Sequence, residues 1–255
     1  MDFILQVAHP DIGIFTALDA VHSEQFGSPA EIAKEEIKMA LHTKELVFLN
    51  ADDPYAMQLL PRLQVDKLTY QTKGYEQIAD ISFSVCDFIL GAANHEVKSV
   101  FSLDIKGTKY QITTNLVGKA NYGYIGVALA IAETIAYQQG QRKKDKGQRN
   151  WELNFELQPG RLSIFPGKYG SIIFDSTYNA APLSMRKAID TAFTIRTKLF
   201  PQSEIRLVLG DMRELGSFTE QEHRQLAGYV SQVADKLFLM GEYMTTFLVD
   251  ELKKI

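Results

Sequence analysis

The feature that most constrains this chain is a repeated order of elements: an apolar strand-like run, a polar turn, then a stretch of helical periodicity. Leu46–Asn50 (LVFLN) ends in Ala51-Asp52-Asp53-Pro54 and leads into a short helical stretch from Tyr55 to about Leu63. The order returns in the last third of the chain. SIIFD at 171–175 precedes the helical SMRKAIDTAFTIRTKLF, and EIRLVLGD precedes the helical EQEHRQLAGYVSQV, which is followed by DKLFLMG. Strand, turn and helix repeated in this way build a parallel sheet with helices on its faces, so the fold class is α/β. Ser28-Pro29-Ala30-Glu31 announces a further helix, with Ser28 at the N-cap, Pro29 in the first helical position and Glu31 completing a capping box. Ahead of it, the apolar runs 3–8 (FILQVA) and 12–16 (IGIFT) flank His9-Pro10-Asp11. Both are expected to be strands around that turn.

Between Lys67 and Val117 the pattern changes. KLTY, IADISFSV, SVFSLDI and KYQITTNLV are β-rich or alternating, and Ile105-Lys106-Gly107-Thr108-Lys109 has the character of a hairpin connection. An apolar helix over about 121–138 follows, and Trp151 to Leu157 is a short helix or strand. Pro159-Gly160-Arg161 then punctuates the chain. A domain boundary is placed near 157, giving domains 1–157 and 158–255.

Composition closes several alternatives. Hydrophobic residues make up 45% and charged residues 23%, which excludes a disordered chain. A net charge of −4 argues against a nucleic-acid or membrane-surface protein. The basic run from Gln139 to Arg149 has no interleaved aromatic and reads as a solvated connector. The longest apolar stretch, Tyr124 to Tyr137, contains Glu133 and is shorter than the ~20 residues a spanning helix needs. Cys86 is the single cysteine and cannot form an internal disulfide. With no signal-peptide pattern at the N-terminus, the expected location is the cytoplasm.

In open α/β sheets, ligands collect at the carboxyl ends of strands. Three loops of the last third are expected there, at equivalent strand ends around a shared cleft. They are Asp175-Ser176-Thr177-Tyr178-Asn179-Ala180-Ala181-Pro182, then Gly210-Asp211-Met212-Arg213-Glu214-Leu215-Gly216, then Gly241-Glu242-Tyr243. Each taken alone is also what a capped turn looks like. In the first half, Asp19 and His22 follow IGIFT, and Asp52 and Asp53 follow LVFLN. A neutral imidazole with carboxylates suits a divalent cation, although a lone loop histidine is more often simply exposed. No C-x-x-C or H-x-x-x-H spacing supports zinc, and no G-x-S-x-G elbow supports a serine nucleophile. There is also no G-x-x-x-x-G-K-[ST], the loop whose backbone N–H groups cradle a triphosphate.

Read in order, these loops resemble those of the Mur ligase family. Asp175 to Pro182 is similar to the family's D-D-[ST]-Y-N-A-N-P, and Val208 to Gly216 to its V-L-G-D-M-x-E-L-G, in the form typical of the D-alanyl-D-alanine-adding branch. Pro10-Asp11-Ile12, His22, Asn50-Ala51-Asp52-Asp53-Pro54, Gly118-Lys119-Ala120-Asn121, Pro159-Gly160-Arg161 and Ser184-Met185 add to the match. The resemblance implies part of a central ATPase domain over 1–157, without its P-loop. Part of a Rossmann-like C-terminal domain over 158–255 would follow.

The implied activity is ATP-dependent amide-bond formation in peptidoglycan precursor synthesis. D-alanyl-D-alanine would be added to a UDP-N-acetylmuramoyl tripeptide through an acyl phosphate, with ATP and Mg²⁺ as cofactors. By position, His22 matches a metal-site histidine. Asn121 lies in the motif near the nucleotide base, and Arg161 and Asp175 match nucleotide-contacting positions. Tyr178 and Asn179 line the side of the incoming amine component. Glu36 aligns with a lysine that is carbamylated in many relatives and would supply the negative charge at the metal directly, on a shorter arm.

Departures are Ala17, Ala120, Ser176 and Ala181, each standing where the family usually has a polar group. They favour a second reading, a non-catalytic Mur-ligase-like binding module. A folylpolyglutamate or cyanophycin synthetase relative ranks last, because those lack the paired Y-N-A-x-P and D-M-x-E-L-G motifs. Without the P-loop, the chain alone is expected neither to hydrolyse ATP nor to ligate. The triphosphate cradle is expected either from sequence ahead of residue 1 or from a complementing chain.

Overall fold

A computed structural model of the chain describes residues 2–16, 28–73, 79–92, 96–139 and 149–255. His22, Asp19, Ala17 and most of the basic run after Gln139 lie outside the described residues. Contacts divide the chain into two compact units, the first including residues 2–16, 33–89 and 98–155 and the second including 156–255.

The first unit is built on a seven-stranded mixed sheet in sequential order. Its strands are β1 (Ile12–Phe15), β2 (Leu46–Asn50), β3 (Asp66–Tyr70), β4 (Ile81–Leu90), β5 (Val97–Ile105), β6 (Thr108–Thr114) and β7 (Arg149–Leu153). β1 through β4 run parallel, β5 and β6 form an antiparallel hairpin, and β7 is parallel to β6. The shift from β/α alternation to β-rich sequence is therefore the shift from parallel strands to a hairpin. At the hairpin tip, Lys106 (φ 48) and Gly107 (φ 85) both adopt positive φ, the two-residue turn whose twist matches the flanking strands. β2 has four successive buried residues, as expected for a strand covered on both faces.

Helix α2 (Pro29–His42) and the short α3 (Pro54–Leu59) cover one face. There Ala40, Ala56 and Leu59 pack with Val47 and Leu49. The long α4 (Lys119–Gln138) covers the other face, where Tyr122, Ile125 and Leu129 meet Phe48, Ile81 and Phe101. Ser28 caps α2 by accepting the Glu31 N–H at 3.3 Å, as its place at the predicted N-cap requires. Aromatic packing stiffens the α4 side, with Tyr122 stacked on Phe101 at 4.3 Å between centroids.

Residues 3–8 are not a strand. Asp2–Val7 form a helix, α1, in which Leu5 is buried while Phe3 (79%), Ile4 (59%) and Val7 (74%) are exposed. Asp2 pairs with Lys38 of α2 at 2.7 Å and fixes α1 beside that helix. A run with one inward residue is satisfied by a single helical turn, whereas an inner strand buries alternate residues on both faces. β1 is the edge of the sheet, paired only with β2 among the described residues, and Ile14 on it is 40% exposed. An open parallel edge beside exposed apolar side chains templates further pairing. Sedimentation of the chain over tens of micromolar is expected to show concentration-dependent association. A single monomeric species across that range would contradict it.

The second unit contains two separate two-stranded sheets. β8 (Ser163–Pro166) and β9 (Ile172–Asp175) are antiparallel, and β10 (Arg206–Gly210) and β11 (Lys236–Met240) are parallel. Helices α5 (Pro182–Leu199) and α6 (Thr219–Val233) pack on one face of β10–β11. A π-helical turn (Met244–Leu248) running into α7 (Val249–Leu252) joins them there. The opposite face presents Val208, Phe238 and Met240 to solvent. β9 was expected to lie in one parallel sheet with β10 and β11, but it pairs with its sequence neighbour β8. The connection makes this local pairing easy: Tyr169 (φ 58) and Gly170 (φ 74) both turn through the left-handed region, closing a short hairpin.

Candidate functional site

The strand ends of the first unit are occupied by structural bonds. Asn50 donates to the Thr16 carbonyl at 2.6 Å and accepts the Asp52 N–H at 3.0 Å. Asp52 accepts the N–H groups of Thr72 and Lys73 and the Thr72 hydroxyl. Asp53 caps α3 by accepting the N–H groups of Tyr55 and Ala56. Tyr70, fully buried, donates to the Phe15 carbonyl at 3.0 Å, and burial pushes its phenol far above the ordinary range, so it stays a donor. The N-A-D-D-P motif thus ties three parallel strand ends together. Its carboxylates are spent on backbone N–H groups.

Asn121 stands in the first turn of α4, its side-chain amide donating to the Val117 carbonyl at 2.6 Å. Glu36 is an exposed residue of α2. Among the described residues, no group of three or more His, Cys, Asp or Glu side chains could hold a metal ion.

In the second unit, the loop after β9 and the Pro159-Gly160-Arg161 turn form one interlocked cluster. Asp175 accepts the Gly160 N–H on Oδ2 and the Thr177 N–H on Oδ1, each at 3.0 Å. The Tyr178 N–H donates back to the Gly160 carbonyl at 3.2 Å. Gly160 has φ 78, and a Cβ there would lie 2.7 Å from the Tyr178 nitrogen, so only glycine allows this approach. The Arg161 guanidinium sits over the Tyr178 ring, 3.7 Å from its centroid. Asn179 is exposed and bonds its own chain, accepting the Ala180 N–H at 2.9 Å.

The Thr177 side chain, more than any other group, holds the Asp175 carboxyl below the usual range. Slight burial opposes this, and the Thr177 and Gly160 N–H groups add to it. A carboxyl that titrates lower when folded gives its full stabilisation above the unfolded value near 3.9 and loses it as pH falls through the folded value. The stability advantage of the natural chain over Asp175→Asn is therefore expected to shrink as pH falls below about 4, read by urea unfolding at stepped pH. A constant difference would contradict the assignment.

The second and third loops are joined by Asp211, which accepts the Met244 N–H at 2.8 Å. Met212 and Leu215 of the D-M-x-E-L-G segment are each 1% exposed and anchor it in the core, with Glu214 (φ 62) and Gly216 (φ 53) turning the chain between and after them. Buried His223 locks the loop: its Nε2 accepts the Met212 N–H at 3.1 Å while Nδ1 bonds the Thr219 carbonyl at 2.6 Å. Sequence reasoning missed His223, because a single helical histidine carries no spacing signal. The loop after β9 joins this core through Ala180 and Met185. The three loops therefore meet through packing and not through one sheet.

A shallow concavity elsewhere, lined by Ser217, Glu220, Gln221, Arg224, Gln225 and Glu251, holds none of the candidate residues. Its arginine is already paired with both of its carboxylates. The cluster around Gly160 offers together a cation unpaired among the described residues, an aromatic face and an acceptor carboxylate, and is the better candidate site.

Two family models match the chain: the Mur ligase middle domain over residues 2–132, and the Mur ligase glutamate ligase domain over residues 160–254. The chain belongs to the Mur ligases, a family of ATP-dependent ligases. Within that family it is similar to the UDP-N-acetylmuramoyl-tripeptide–D-alanyl-D-alanine ligase of Bacillus subtilis (strain 168), at 25% identity over 246 residues, 95% of this chain and 48% of the relative. The MurF crystal structure from Acinetobacter baumannii shares the fold with TM-score 0.71 at 19% identity, covering 98% of this chain and 50% of that one. MurF from Thermotoga maritima, solved in complex with ADP, gives 0.66 at 17% identity, covering 98% and 64%. The chain spans about half the length of the curated relatives it matches. No helix among the described residues is long and apolar enough to cross a membrane.

Proposed function

We propose that this chain contributes the nucleotide-contacting C-terminal side of an ATP-dependent ligase that adds D-alanyl-D-alanine to a UDP-N-acetylmuramoyl tripeptide. The observation that carries the reading is the Gly160–Arg161–Asp175–Tyr178 cluster, interlocked at the loop whose sequence resembles the family motif. Its chemistry suits the ribose and phosphate portions of a nucleotide. Asp175 keeps acceptor capacity on both oxygens for sugar hydroxyls, and Arg161 offers a planar set of donors to phosphate oxygens. ATP, when bound, supplies the phosphoryl group that activates the peptide carboxylate, and the dipeptide amine then displaces it. The described residues include no cluster fitted to Mg²⁺, so no step here is assigned to the metal. His22 and Glu36 remain the proposed metal-side residues.

Triphosphate chemistry needs a cradle of backbone donors that the 255 residues do not encode. By this reading the 255 residues alone are inactive, and a P-loop carried elsewhere on the same polypeptide or on another one completes the site. Incubation with Mg²⁺, ATP, the UDP-linked tripeptide and D-alanyl-D-alanine is expected to release phosphate at the uncatalysed rate. Amide product should appear once a polypeptide carrying the N-terminal half of a Mur ligase is added. Mg²⁺-dependent turnover by the chain alone contradicts the first expectation. Failure to bind ADP favours the non-catalytic module, a reading that Ala181 supports by placing no polar side chain at the N-cap of α5.

A further inference from the structure

Arg161 and Tyr178 lie on different sides of the β8–β9 hairpin, yet their side chains stack while both remain exposed to solvent. Two backbone bonds enforce this contact: Gly160 N–H to Asp175, and Tyr178 N–H to the Gly160 carbonyl. The left-handed Gly160 brings the two segments within reach of each other. The guanidinium carbon sits over the ring, 3.7 Å from its centroid, and the N–H donors lie in the guanidinium plane. The Arg161 side chain makes no hydrogen bond or ion pair to any described residue, so those donors are available to an oxyanion. The stack also removes freedom from a long side chain before any ligand arrives, which lowers the entropic cost of binding.

We propose that Tyr178 is a positioning residue: it holds the Arg161 guanidinium ready for a nucleotide phosphate oxygen, and does not line the amine subsite to which the family resemblance assigns it. The inference rests on the nucleotide reading above. One face of its ring is taken by Arg161, so Tyr178 meets any other ligand with the opposite face, its edge or its hydroxyl. Asp175 belongs to the same unit, because its carboxylate fixes Gly160 and thereby the start of the arginine's own turn.

ADP titrated calorimetrically into the 255-residue chain and four variants tests this. Arg161→Ala is expected to weaken ADP binding about tenfold, and Tyr178→Leu about fivefold. Tyr178→Phe, which keeps the ring face, should stay within about twofold of the natural chain. The double variant Arg161→Ala/Tyr178→Leu should bind no more than about twofold more weakly than Arg161→Ala alone, because the tyrosine has lost the group it positions. Tyr178 is 67% exposed, so unchanged thermal unfolding of the Leu variant should accompany these shifts. If Arg161→Ala weakens ADP while Tyr178→Leu does not, or if the two effects multiply, the positioning role is wrong and the nucleotide reading stands. If the natural chain does not bind ADP, or Arg161→Ala leaves binding intact, the nucleotide reading fails and takes the inference with it.

Discussion

Replacing Gly123 with alanine is expected to destabilise the first unit by about 2–3 kcal/mol, although alanine is the better helix former. Gly123 lies in α4 where the helix crosses the end of β3. A Cβ built there would fall 1.9 Å from the Gln71 carbonyl oxygen and 3.0 Å from its carbon. Backbone cannot swing aside as a side chain does, so the helix must lift. Lifting it separates Tyr122 and Ile125 from the Phe48, Ile81 and Phe101 layer that forms the largest core. The gain of about 1 kcal/mol in helix propensity is outweighed by this strain. Gly228 provides the opposite case. It lies in α6 with nothing within 4 Å of a built Cβ, so Gly228→Ala should stabilise by about 0.5–1 kcal/mol. Urea unfolding of the two variants side by side checks both signs, and equal effects of one sign would contradict the packing account.

Removing the His223 ring nitrogens should cost about 2–4 kcal/mol and release the Met212–Leu215 loop. His223 is fully buried, and both nitrogens are bonded to backbone groups of different segments. A neutral ring with its proton on Nδ1 satisfies both, donating to Thr219 and accepting from Met212. Leucine fills similar space, so His223→Leu isolates the hydrogen bonds from the cavity that alanine would leave. The Met212 N–H then remains buried without its partner, and the part-buried Thr219 carbonyl loses its side-chain donor. Tyr243 and Phe247 lie close to the imidazole ring, at 5.5 and 6.5 Å between centroids, and stack on each other at 6.0 Å. The loss should therefore spread to the π-helical turn. Amide exchange at Met212 and Met244 should accelerate in the variant. Unchanged protection at both would contradict the lock.

The sequence made the α/β class, the hairpin at Lys106-Gly107 and the family legible, because turn chemistry and loop motifs are local. Three results were not local. FILQVA reads as a strand by its apolar content, but burial of Leu5 alone makes it a helix, and the run itself does not say which residues face inward. β9 joins β8 because a left-handed turn at Tyr169 and Gly170 makes the hairpin available, a conformation that Tyr169 does not signal. The D-M-x-E-L-G segment reads from sequence as a cleft loop or a capped turn. Met212 and Leu215 are core anchors, and its position depends on a histidine one helix away. The candidate site was half legible. Arg161, Asp175, Tyr178 and Asn179 were visible one by one, but the stacking of Arg161 on Tyr178 required the fold.

The central claim is that this cluster is a nucleotide site. The most direct measurement is an amide-resolved NMR titration of the 255-residue chain with ADP. Shifts concentrated at Gly160, Arg161, Asp175, Thr177 and Tyr178, and abolished in Arg161→Ala, are the predicted result. Shifts confined to the groove between Glu220 and Glu251, or none at ADP concentrations of a few millimolar, would contradict it.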